Sequence, residues 1–185
     1  MNPEKRRRLK ELILQFSYQK REVRLASGRM SDFYFDGKQT TLHPEGAALV
    51  GALMGDLLRE HFPEAQAVGG PTLGADPITT AIGVVSFYRG FPIPGFIVRK
   101  EPKGHGTMNW IEGATHLKAG MRVVLVEDVI TTGGSILKAC KAVREAGLVP
   151  LGVVVIVDRE EGGRENLERD GLKVFSIFKK GELLA

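Results

Sequence analysis

Near the start of the chain apolar residues fall at Leu9, Leu12, Ile13 and Phe16, a spacing that predicts an amphipathic helix over Glu4–Phe16. Val23–Leu25 and Phe33–Phe35 predict short extended pieces around a Ser27-Gly28-Arg29 turn. His43-Pro44-Glu45 opens a second helix, with Leu49, Leu53, Leu57 and Leu58 along it and its end near His61, before Pro63. A strand over Ala65–Gly69, a loop over Gly70–Pro77 and a helix over Ile78–Tyr88 follow, the helix carrying proline at its first turn. Gly95–Lys100 reads as a strand and Glu101–Gly113 as a long loop. Arg122–Glu127 and Leu151–Val157 are nearly continuous apolar runs, the pattern of strands buried on both faces of a parallel sheet. Between them Ser135–Ala146 predicts a helix stopped by Gly147, and Lys173–Phe178 predicts a last strand. Strands alternating with helices indicate an α/β fold with a mostly parallel sheet flanked by helices. With 185 residues, no repeat and no linker, residues 1–185 are expected to form a single domain.

Composition narrows the partners. A hydrophobic fraction of 43% and a charged fraction of 26% exclude disorder and collagen-like structure, and the lone Cys140 excludes an internal disulfide framework. The net charge of +4 suggests nucleic acid until it is located. Lys5, Arg6, Arg7, Arg8 and Lys10 against Glu4 account for the whole excess, so the rest of the chain is neutral. Those cations are expected to be a solvated helix face, and no nucleic-acid partner is expected. No apolar run is long enough for a membrane span or a secretion signal, so no membrane partner and a cytoplasmic location are expected.

The chemistry concentrates in Val123-Val124-Leu125-Val126-Glu127-Asp128-Val129-Ile130-Thr131-Thr132-Gly133-Gly134-Ser135. A buried strand delivers two carboxylates to its carboxyl end, where open α/β sheets bind ligands. Thr-Thr-Gly-Gly-Ser then leads into a helix. Glycines let backbone N–H groups approach an anion, hydroxyls add donors, and the helix start favours phosphate. Taken alone, Thr131–Ser135 is also what an ordinary strand–turn–helix with an N-cap at Ser135 would show. Carboxylates beside a phosphate cradle suit a ligand carrying both phosphate and hydroxyls, such as a sugar phosphate.

This string resembles the phosphoribosyl-pyrophosphate (PRPP) motif of the type I phosphoribosyltransferases. Three further segments resemble the orotate phosphoribosyltransferase family. Arg99-Lys100-Glu101-Pro102-Lys103-Gly104-His105-Gly106 is similar to that family's mobile catalytic loop. Leu25-Ala26-Ser27-Gly28-Arg29 with Phe33-Tyr34-Phe35-Asp36 is similar to its N-terminal hood, and Val157-Asp158-Arg159 to the strand end facing the orotate carboxylate. The resemblance implies the type I phosphoribosyltransferase fold with a small N-terminal hood, much of it from residues 1–40. It implies a Mg²⁺-dependent enzyme making orotidine 5′-monophosphate and pyrophosphate from orotate and PRPP in pyrimidine synthesis. Implied PRPP-binding residues are Arg99, Lys100, Lys103, His105, Glu127, Asp128, Val129, Ile130, Thr131, Thr132, Gly133, Gly134 and Ser135. Lys103, His105 and Asp128 are implied to be catalytic, and Tyr34, Phe35, Thr131 and Arg159 to bind orotate. Mg²⁺ is implied to be held mainly through PRPP, with no direct protein ligand. The family's active sites are shared across a homodimer, so Lys103 and His105 are expected to serve the partner's site. Trp110 is expected to anchor the far half of their loop.

Two departures stand out. Ala26 and Gly74 occupy places where many members carry lysine, in the hood and in the loop Gly-Pro-Thr-Leu-Gly-Ala-Asp-Pro over Gly70–Pro77. Asp76 has the wrong charge to replace a cation there. The family often has a non-proline cis peptide in this loop, which would fall at Thr72–Leu73. The competing readings are a phosphoribosyltransferase for another base, and a non-catalytic PRPP-sensing regulator.

Overall fold

A computed structural model describes residues 1–24, 30–101 and 110–185 of the chain. The first helix, α1 (Pro3–Leu12), starts at Asn2, whose side chain accepts from the Lys5 N–H at 3.0 Å, and closes in one wider turn over Ile13–Ser17. A hairpin follows: β1 (Tyr18–Arg24) pairs antiparallel with β2 (Met30–Phe35), setting Tyr18 opposite Phe35 and Gln19 opposite Tyr34. The first extended piece thus starts five residues before its apolar signal at Val23. Ala26 and the Ser27–Arg29 turn lie outside the described residues, as do Lys103 and His105.

A short α2 (Lys38–Thr41) leads to α3 (Pro44–His61), where the His43 side chain accepts from the Gly46 N–H. Then come β3 (Ala67–Pro71), α4 (Ala75–Tyr88), β4 (Gly95–Val98) and β5 (Ile111–Glu112). They are followed by β6 (Arg122–Ile130), α5 (Gly134–Glu145), β7 (Val149–Asp158), α6 (Gly163–Arg169), β8 (Lys173–Lys179) and α7 (Lys180–Leu184). The long loop after β4 holds the two residues of β5, and α2, α6 and α7 add to the expected helices. β6 extends three residues beyond Glu127, so the acidic pair sits inside the strand.

The main sheet has six strands in the order β5-β4-β3-β6-β7-β8. Only the β4–β5 pairing is antiparallel; the other four are parallel. Alternation explains the continuous apolar runs. Val124, Val126, Val154 and Ile156 pack on one face with Leu53 and Met54 of α3 and Ile78 of α4. Val123, Leu125, Val153 and Val155 pack on the other with Ile136 and Val143 of α5.

The N-terminal segment joins the first of these faces through Leu9, Ile13 and Phe33, all essentially buried. The basic residues stay at the surface, as expected of a solvated face, and three of them also make surface contacts with neighbouring elements. Arg6 pairs with Glu182 at 3.0 Å and donates to the Ile177 carbonyl. Arg8 grips Glu45 through two bonds of 2.7 and 2.8 Å, and Lys10 donates to the Glu182 carbonyl. Three of the five cations behind the net charge therefore tie α1 to α3, β8 and α7. Among the described residues no helix is long and apolar enough to cross a membrane.

Candidate active site

From β3 the chain proceeds through α4 to β4 on one side, and from β6 through α5 to β7 on the other. The strand order reverses between β3 and β6, and ligands of open α/β sheets bind beyond the carboxyl ends of strands at such a point. The loops after these two strands carry the expected chemistry.

Glu127 and Asp128 are 7% and 8% exposed. The backbone hems them in. A Cβ on Gly74 would overlap the Glu127 Oε1 and come within 2.9 Å of the Asp128 Oδ1. A Cβ on Gly37 would come within 2.5 Å of the Asp128 Oδ2. The missing Cβ at Gly74 thus leaves room for the Glu127 carboxylate against this loop. Asp76 does not take the place of the missing lysine: its Oδ2 accepts from the Thr72 hydroxyl at 2.8 Å, tying the loop to the start of α4. Its Oδ1, though buried, has no hydrogen-bond partner among the described residues. The Thr72–Leu73 peptide is cis, as the resemblance implied.

Burial raises the pKa of both carboxyls. Glu127 is held well above the usual carboxylate range by desolvation, then by the charge of Asp128, with a hydrogen bond to Ser135 pulling the other way. Burial also pushes Asp128 up, but the Lys38 ammonium and a 2.9 Å bond from the Val129 N–H oppose it. Lys38, absent from the expected set, also pairs with Asp36 at 2.6 Å.

Beyond the pair, Ile130 is buried in the core and Val129 is half-buried, so these two offer a ligand little besides backbone. The chain turns at Gly133, whose φ of +80° is a left-handed conformation suited to glycine. It then enters α5 with Thr132, Gly134 and Ser135 exposed. The first amides of a helix lack intrahelical acceptors, so an anion can be held here. A cavity of about 700 Å³ brings Thr72, Arg99, Lys100, Trp110 and Ser135 together, a size suited to a small-molecule ligand. In it Arg99 pairs with Glu112 at 2.6 Å, while its N–H donates to the Trp110 carbonyl. Trp110 packs against the core, which fits its expected anchoring role.

The other flank is built by β2 and the end of β7. Arg159 is only 6% exposed, although the chain around it is rich in acidic residues. Its N–H donates to the Ile130 carbonyl, its guanidinium bonds Glu161 and the Phe33 carbonyl, and it lies 5.1 Å from the centre of the Phe33 ring. The ring of Phe33 also receives the Lys180 ammonium at 5.2 Å. Phe33 and Phe35 pack on the core, so the strand's alternation sends Tyr34 to the opposite face. The expected Tyr34-Phe35 wall is thus divided between two faces, with the backbone of β2 continuous between them.

The structure thus brings Arg99, Lys100, the acidic pair and Thr131–Ser135 to one end of the sheet, with Arg159 and β2 beside them. Lys38, Phe33, Lys180 and α6 add to this neighbourhood.

Comparison with known proteins agrees with this geometry. The family described as "Phosphoribosyl transferase domain" matches residues 42–179. The orotate phosphoribosyltransferase of Aquifex aeolicus is 54% identical over 161 residues, covering 87% of this chain and 86% of that protein. The orotate phosphoribosyltransferase of Mycobacterium tuberculosis, crystallised with Fe(III) dicitrate, superposes with a TM-score of 0.84 at 41% identity. That alignment covers 97% of this chain and 98% of the other. A structure of the same enzyme in complex with PRPP gives a TM-score of 0.79 at 38% identity over 98% and 99% of the two chains.

Proposed function

Since the chain belongs to the phosphoribosyl transferase domain family, and within it to the orotate phosphoribosyltransferases, we propose that it transfers the 5-phosphoribosyl group of PRPP to orotate. The products are orotidine 5′-monophosphate and pyrophosphate, a step of pyrimidine synthesis. The observation that carries this reading is the buried Glu127–Asp128 pair directly preceding the glycine-containing start of α5. That juxtaposition suits a ribose bearing both hydroxyls and a 5′-phosphate.

In this mechanism Thr131–Ser135 hold the 5′-phosphate through backbone N–H groups and hydroxyls, with Val129 and Ile130 contributing backbone. Glu127 and Asp128 accept hydrogen bonds from the ribose hydroxyls. The bond from the anomeric carbon to pyrophosphate breaks, the leaving group keeps the electron pair, and a ring nitrogen of orotate forms the new bond as its N–H proton passes to pyrophosphate or solvent. Arg99 and Lys100, with Lys103 and His105 reaching in from the second copy of the chain, meet the charge developing on pyrophosphate. Arg159 presents a fork of donors to the orotate carboxylate, exchanging its intramolecular partners for it. Thr131 and the backbone of Tyr34-Phe35 complete that side.

Mg²⁺ is the divalent cation we assign. Among the described residues no group of three or more His, Cys, Asp or Glu side chains could hold a metal ion by itself. The two-carboxylate site fits a cation that enters with the diphosphate. Held mainly through PRPP, such a cation would supply charge neutralisation for the departing pyrophosphate.

We also read residues 1–185 as one domain, because residues of the hood share a hydrophobic cluster with the sheet. A cytoplasmic homodimer completes the proposal. Exposed Leu42, Leu73, Val84, Phe87 and Tyr88 form an apolar surface, part of it on the same loop as Gly74, which suits a second copy of the chain.

With PRPP and Mg²⁺, the protein should consume orotate and release one pyrophosphate per orotate. PRPP binding without turnover of any base would replace the enzyme with a regulator. Mixing Lys103→Ala with Asp128→Asn should restore part of the lost activity if sites are shared; no restoration would contradict the shared site.

A further inference from the structure

We infer that α6 buttresses the phosphate-side loop and that Asn166 is a positioning residue for it. The Asn166 Nδ2 donates to the Thr132 carbonyl at 2.9 Å. Its Oδ1 accepts from Arg169 at 2.7 Å, so the side-chain amide is held facing the loop. Its backbone N–H is held by the Gly162 carbonyl. The start of the same helix closes on the neighbouring residues. A Cβ on Gly163 would come within 2.6 Å of the Thr131 carbonyl oxygen and 3.1 Å of the Gly133 nitrogen. The buried Leu167 occupies the space beside Gly133, where a Cβ would lie 3.1 Å from its Cγ. Thr131, Thr132 and Gly133 are thus each met by an element that supplies none of the loop itself.

The peptide plane makes this more than packing. In a trans peptide the carbonyl of Thr132 and the N–H of Gly133 lie on opposite edges of one rigid plane, so holding the carbonyl fixes the direction of the following N–H. An anion cradle works best when its donors are aimed before the ligand arrives, because ordering them afterwards is subtracted from affinity. Thr132 is exposed, and water could satisfy its carbonyl if Asn166 were removed. The fold does not depend on this bond; the aim of the loop does.

The inference rests on the assignment of Thr131–Ser135 as the 5′-phosphate site, and the experiment separates the two. PRPP kinetics and competitive inhibition by ribose 5-phosphate are measured for the full-length protein, Asn166→Ala and Asn166→Asp. Asn166→Asp presents an acceptor to the Thr132 carbonyl in place of a donor. Asn166→Ala should raise the PRPP KM and weaken ribose 5-phosphate inhibition about fivefold, the worth of one hydrogen bond. Asn166→Asp should do so at least as strongly. The orotate KM should stay within about twofold and the unliganded Tm within about 2 °C. PRPP and ribose 5-phosphate constants unchanged in both variants would overturn the buttress alone. So would a parallel rise in the orotate KM, which marks general damage. A wild-type protein indifferent to ribose 5-phosphate would overturn the phosphate assignment, and the buttress with it.

Discussion

Replacing Glu127 with glutamine should stabilise the unliganded protein while crippling it. Glu127 and Asp128 are each less than a tenth exposed, and burial together with the charge of Asp128 disfavours ionisation of Glu127. A carboxyl whose pKa is raised by folding binds its proton more tightly in the folded state. The ionised group therefore opposes folding near neutral pH, and that penalty fades as pH falls through the raised folded value towards the unfolded one. Glutamine keeps the shape and can still accept from Ser135, but carries no charge. Relieving one such charge is worth about 1–2 kcal/mol, comparable with other stabilising substitutions. For a chain of this size that is a rise in Tm of about 2–8 °C. Asp128→Asn should give less, because the Lys38 ammonium already offsets part of the Asp128 charge. The same change removes a charged acceptor from the ribose hydroxyls, and should cut kcat/KM for PRPP about ten- to a hundredfold. Thermal unfolding at about pH 7.5 and about pH 5 tests the stability claim, since the gain should be large at the first and shrink at the second. A Tm for Glu127→Gln equal to or below wild type at the higher pH, or a gain indifferent to pH, would mean that the Glu127 charge does not oppose folding.

Restoring a side chain at Gly74 should harm the enzyme: Gly74→Ala should raise the PRPP KM by displacing the Glu127 carboxylate, and Gly74→Lys should lower activity despite its added charge. Steady-state kinetics with unchanged constants would contradict the steric account. Arg159→Ala should raise the orotate KM at least about tenfold while leaving the PRPP KM near wild type, as expected for a lost charge-assisted contact. Lys103→Ala should lower kcat far more than PRPP affinity, because its contact belongs to the transition state. Val84→Asp combined with Tyr88→Asp should shift sedimentation towards monomer and lower activity together; a dimer that persists would move the interface elsewhere.

How much was readable before the structure depended on the kind of signal. The β6–α5 segment was legible because burial on both faces demands an unbroken apolar run, and only with that run and the acidic pair do the glycines and hydroxyls after it point to a phosphate site. The α6 buttress was not, because Gly163–Arg169 buries only Gly163 and Leu167 and so shows no apolar periodicity. Gly74 and Gly37 were visible as residues, but what they approach is set by folding the loop after β3 and the turn after β2 onto the acidic pair. Arg159 sits among charges in the chain and among Phe33, Glu161 and the end of β6 in space, so its burial had no local signature. The surface partners of the basic N-terminus were hidden for a related reason. Its acidic partners Glu45 and Glu182 are distant in sequence, and only the packing of α1 brings them together.

The site is built to couple a ribose phosphate to one particular base. A competition measures it most directly: PRPP and Mg²⁺ are supplied with orotate, hypoxanthine and adenine in equal amounts, and each base is followed by its absorbance and by chromatography of the products. Orotate alone should be consumed, with orotidine 5′-monophosphate and pyrophosphate appearing in step. Consumption of a purine while orotate persists would contradict it.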